Sequence, residues 1–97
     1  MTSITEELRA RQIEPSKFTT VYNIIHAVSD VKLPDLSIPD VYGYELNSIF
    51  NYLTKVGVLK EGKGAVYKVN KDRLEVMEKR IKAGELRVEV ASSVHGE

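Results

Sequence analysis

The chain has 97 residues, with 14 Lys plus Arg balanced by 14 Asp plus Glu, and no cysteine. That length suits one modest core and is too short for two, and a net charge of zero argues against a non-specific polyanion binder. The lack of cysteine rules out a disulfide framework or a thiolate metal site, and it fits a reducing, cytoplasmic setting. No apolar run approaches the roughly 18–20 residues of a bilayer-crossing helix. The opening MTSITEELRARQ has no apolar stretch of signal-peptide type, so no membrane partner is expected.

Residues 3–13 read as a first helix, with Ser3 and Glu6 at capping-box spacing. Only Ile4 and Leu8 are apolar at helical spacing, which predicts an arm lying on the core or a piece of a subunit contact. Glu14-Pro15-Ser16 breaks that helix, with Ser16 available as a cap. Residues 17–29 then carry Phe18, Val21, Ile24, Ile25 and Val28 on one face, the pattern of the main core helix. Residues 30–40, DVKLPDLSIPD, form a connection in which Leu33 or Leu36 adds a short strand. Ser37 can cap a short helix over 38–42, with Pro39 in its first turn and Gly43 turning the chain into the next helix.

Residues 44–56 give the clearest signal. Leu46, Ile49, Phe50, Leu53 and Val56 make one continuous helical stripe. At about 100° per residue the opposite face carries Tyr44, Ser48, Asn51 and Lys55, with Asn47 and Tyr52 on its flanks. Three of these, Asn47, Ser48 and Asn51, are weak helix formers on one outer face, a cost that asks for a reason. After Gly57 the period changes to that of strands. Val58-Leu59 and Ala65–Val69 flank the turn Glu61-Gly62-Lys63-Gly64, in which both glycines can take positive φ. Asn70 can cap a helix over 72–83 whose stripe is Leu74, Met77 and Ile81, and Gly84 suits its C-terminal end. Residues 86–90 alternate in the manner of a short strand, and the tail ASSVHGE reads as mobile.

Charge is unevenly spread. Residues 1–54 hold four bases against seven acids, whereas residues 55–82 hold nine bases against four. Such a split can orient a chain on an anionic partner.

Helix 17–29, short helix 38–42, helix 44–56, hairpin 57–69 and a closing helix together resemble a winged helix-turn-helix domain of the kind found in small archaeal and viral transcriptional regulators. The resemblance covers about residues 16–83 and rests most on the run LNSIFNYLTKVGVLKEGKGAVYKVN. It implies an α+β, mostly helical fold: an arm over residues 1–15, a winged core over 16–71, a packing or dimerisation helix over 72–84, and a tail over 85–97. It further implies a DNA-binding protein with helix 44–56 in the major groove. Asn47 and Asn51 would then read adenine, Ser48 would touch a base or phosphate, and Tyr44 and Lys55 would hold the backbone. Lys60, Lys63 and Lys68 of the wing would contact phosphates or the minor groove. A homodimer is expected, because small DNA-binding domains gain affinity by pairing across half-sites, with Leu74, Met77 and Ile81 as the candidate contact.

Other classes draw less support. The Glu61–Gly64 turn lacks the spacing and the strand-to-helix setting of a phosphate loop. His26 and His95 have no second ligand at metal spacing, and no nucleophile–base–acid set can be assembled, so neither catalysis, a cofactor nor a small-molecule substrate is expected. The rival reading is a winged-helix module that docks proteins in a replication, transcription or assembly complex. The neutral net charge and the single base, Lys55, on the third helix favour it.

Overall fold

A computed structural model describes residues 2–88. Four helices and a small antiparallel sheet follow in the order α1 (Ile4–Ala10), α2 (Pro15–His26), β1 (Asp30–Lys32), α3 (Gly43–Lys55), β2 (Leu59–Glu61), β3 (Val66–Val69) and α4 (Lys71–Lys82). The class is α+β and mostly helical, as the sequence leads one to expect. No helix is long and apolar enough to cross a membrane.

The sheet has the order β1-β3-β2. In register, Val31 and Glu61 flank Tyr67, while Asp30 and Lys60 flank Lys68. Because strand side chains alternate, Val31 and Tyr67 point to the helices and Lys60 and Lys68 point away from them. Phe50 of α3 meets Tyr67 edge to face at 5.0 Å, which seats the hairpin against the middle of that helix.

Three local expectations change. The short helix over 38–42 does not form, so the helix-turn-helix pair lacks its first member; Pro39-Asp40 is a turn, and Leu36, Ile38 and Val41 anchor an irregular loop on the core. Five residues recover too few hydrogen bonds to offset helix nucleation, and Pro39 pushes Ile38 toward extended backbone. The short strand comes earlier than Leu33 or Leu36, at Asp30–Lys32, and gives way to a 3₁₀ turn at Leu33–Asp35 because Pro34 has no N–H for the ladder. In the hairpin turn Gly64 takes positive φ (69°) but Gly62 is extended, and Ala65 occupies the second left-handed position at 60°.

One apolar cluster runs from Ile4 to Met77. The first helix is therefore more than an arm: Ile4 and Leu8 are fully buried, Thr5 and Ile13 nearly so. Its capping box forms as the spacing predicts, with Ser3 Oγ accepting from Glu6 N–H and Glu6 accepting from Ser3 N–H. Leu74 and Met77 are likewise buried in the core of their own chain, with Ile81 half-buried against it, so packing is their role within one protomer.

Beyond α4, residues 85–88 run along α1 without regular structure. Thr5 N–H and Thr5 Oγ1 both donate to the Glu85 carbonyl, and Arg87 N–H donates to Thr5 Oγ1. A side-chain network continues inward. Arg80 bonds Glu85 and the Thr2 carbonyl and lies 3.6 Å from Glu7, whose carboxylate accepts from the Tyr52 hydroxyl. Burial, then that hydrogen bond, pushes the Tyr52 pKa well above its ordinary value. The expected strand over 86–90 is not seen in its described part, and residues 89–97, including the tail and His95, lie outside the described residues.

Candidate functional site

The sequence marks the outer face of α3, and its geometry starts at the helix entry. Tyr42 N–H donates to Glu45 Oε1 at 2.9 Å, and the other oxygen of that carboxylate accepts from Lys17 Nζ at 2.7 Å. The Lys17 ammonium, then the Tyr42 N–H, holds the Glu45 carboxyl below its usual value, and Glu45 in turn raises Lys17. An acid in the first turn also suits the positive end of the helix dipole.

Leu46, Ile49, Phe50, Tyr52 and Leu53 are buried, which leaves Tyr44, Asn47, Asn51 and Lys55 exposed and Ser48 half-exposed along one crest. Tyr52, read from the sequence as a flank of the polar face, is only 2 % exposed because α1 covers it and Phe18 packs edge-on to its ring. The helical angles set Asn47 and Asn51 toward the Phe50 side, where the hairpin packs, and Ser48 toward the α1 side. Ser48 Oγ donates to the Tyr44 carbonyl one turn back, so its hydroxyl is partly committed. The amides of Asn47 and Asn51 have no hydrogen-bond partner among the described residues.

The wing lysines form a second group. Lys60, Lys63 and Lys68 line one shallow groove with Glu61, Gly62 and Val66. Lys60 and Lys68 stand directly opposite each other on the outer sheet face, turned away from α3. Like charges so placed repel and weaken the pairing. None of Lys55, Lys60, Lys63 and Lys68 forms an ion pair among the described residues, whereas Lys17, Arg80 and Lys82 all do. The eight sequence-marked residues thus fall on two surfaces, the crest of α3 and the outer side of the hairpin.

Four further residues belong beside them. Tyr42 is 64 % exposed and its ring stacks on that of Tyr44, itself 71 % exposed, at 6.0 Å and 5° between planes. Lys17 Nζ lies 5.5 Å from the Tyr42 ring centre. Arg11, half-buried over the Tyr52 ring, borders the α1 flank of the crest. Lys32 of β1 joins the basic sheet face opposite Val66. The Tyr-Gly-Tyr run was the available clue to the first; Arg11 and Lys32 depend on tertiary pairing and carry no local signal.

A cleft between the α1–α2 turn and α3, lined by Arg11, Ile13, Lys17, Tyr44, Glu45 and Ser48, holds about 60 Å³. Organic ligands usually occupy several hundred Å³, so this cleft suits a few waters. No protein-family model, curated protein or solved structure matches the chain.

Proposed function

We propose that this chain is a DNA-binding protein, a sequence-specific transcriptional regulator of winged-helix type that inserts α3 in the major groove and uses the hairpin β2–β3 as its wing. The observation that carries the reading is the crest of α3. Asn47 and Asn51 present two amides one turn apart that are uncommitted among the described residues, in a helix whose other polar groups are largely engaged. An amide facing a major groove pairs bidentately with adenine N6 and N7. The order helix, strand, helix, hairpin with sheet order β1-β3-β2 agrees with a winged helix, while the loop at 36–42 stands where such a domain has its second helix. Lys55, Lys60, Lys63 and Lys68, unpaired among the described residues, supply the positive surface that phosphates require.

Two-fold pairing across half-sites is part of the proposal. Leu74 and Met77 are occupied internally, so the contact would use the outer side of α4, where Val76 is exposed. Sedimentation at tens of micromolar should give a dimer.

The decisive experiment is selection from a random duplex pool at two salt concentrations. Enrichment of a palindromic motif, with a log–log salt slope of about −9 for some five phosphate contacts from each protomer of the dimer, supports the regulator. Flat, motif-free binding favours the protein-docking module, a reading that the exposed tyrosine pair and neutral net charge also accommodate.

A further inference from the structure

The exposed chemistry of α3 discriminates among base pairs, and this inference rests on the DNA-binding reading above. In the major groove guanine is best read by Arg or Lys at O6 and N7, cytosine by a carboxylate at N4, adenine by Asn or Gln, and the thymine methyl by an apolar surface. From Tyr42 to Asn51 the exposed crest offers no arginine, no lysine and no free carboxylate. The one acid there, Glu45, is half-buried and already accepts from Lys17 and Tyr42. The first base along the helix is Lys55, eleven residues and about 16 Å beyond Tyr44, in the last turn. Base edges are met chiefly by the N-terminal part of a recognition helix, which leaves Lys55 to the backbone. Arg11 is drawn aside over the Tyr52 ring.

What the crest does offer is two amides and a plate. The rings of Tyr42 and Tyr44 lie nearly parallel, and both are well exposed. The plate is held in place from behind. The Tyr42 main chain is fixed by its N–H to Glu45, and the Lys17 ammonium 5.5 Å from its ring centre and the Tyr44 ring beside it favour the ring position seen. Two adjacent large aromatic rings left in water gain by covering an apolar group.

We infer that the duplex site recognised by this protein is built of A·T pairs, with Asn47 and Asn51 hydrogen-bonding adenine and the stacked Tyr42–Tyr44 rings covering a thymine C5-methyl. Tyr42 is thereby a specificity-determining residue, which the sequence did not mark.

The test takes the motif enriched from the random pool and replaces each thymine in turn by deoxyuridine, which removes only the methyl group. At one position per half-site the wild-type chain should bind about fourfold more weakly, the worth of one buried methyl. The Tyr42→Ala and Tyr44→Ala variants should be indifferent to that replacement. Both positions are exposed, so the fold is retained. An enriched motif of G·C pairs, or indifference of the wild type to every deoxyuridine, overturns the A·T assignment while leaving DNA binding standing. Absence of binding to any duplex overturns both.

Discussion

The two long sides of α3 treat their polar groups in opposite ways. On the α1 side Tyr52, Glu7, Arg80, Glu85, Thr5 and Thr2 satisfy one another in a part-buried network that joins α1, α3 and α4. Toward the hairpin, Asn47 and Asn51 have no partner among the described residues, and on the outer face of the hairpin itself Lys60 faces Lys68. Both sides are rich in hydrogen-bonding groups, so composition does not separate them. Commitment does: the first region is complete within the chain, and the second is left open to something outside it.

If that contrast is real, substitutions on the two sides should fail in different assays. The largest effect belongs to the closed side. Leu8→Ala removes a fully buried side chain and should lower stability by about 2–5 kcal/mol in urea unfolding. A loss below about 1 kcal/mol would return α1 to the status of a loose arm. On the open side, Asn51→Ala should raise stability by about 0.5 kcal/mol, alanine being the better helix former, and yet cost about 1–3 kcal/mol of discrimination at one base pair. Unaltered sequence preference would remove Asn51 from the reading face. Lys63→Ala should weaken binding to all sequences alike and flatten the salt slope by about 0.9 per protomer.

Smaller effects sharpen the boundary. Tyr52→Phe takes away the hydroxyl that Glu7 accepts from, and should cost about 1 kcal/mol of stability with DNA affinity untouched. An affinity change would mean that the network reaches the crest. Lys60→Glu turns a repelling cross-strand pair into an attracting one. It should raise stability by about 0.2–1 kcal/mol while weakening duplex binding, so that stability and affinity move in opposite directions. Gained stability with unaltered affinity would take the outer sheet face out of contact with DNA.

Much of this architecture was legible from period and punctuation. The stripe of α3, the change of period after Gly57, the Ser3–Glu6 box and the Asn70 cap all rest on contacts within a few residues, so local sequence encodes them. Ile13, Tyr22 and Tyr52 were not marked as core, because each is buried by an element distant in sequence. The strand at Asp30–Lys32 has three residues and exists only because β3 offers an edge, which no local pattern announces. The expected helix over 38–42 illustrates the converse: a cap and a proline suggest a start, but a start without length is a turn. At the site, the crest residues followed from helical angle alone. The plate of Tyr42 and Tyr44 did not, since their separation of two puts them on one helix face only because Tyr42 lies outside the helix.

The bonds between Thr5 and residues 85–87 have a topological side. They bring the two ends of the described chain together near the C-terminal end of α3, where Thr2 and Glu6 border Lys55 and Val56. The path from residue 2 to residue 88 is thus close to a ring. A short linker across that junction, with new ends cut at the Pro39-Asp40 turn, would preserve the crest, the hairpin and the core. In such a permutant the loop at 36–42 would become two free ends beside Tyr42.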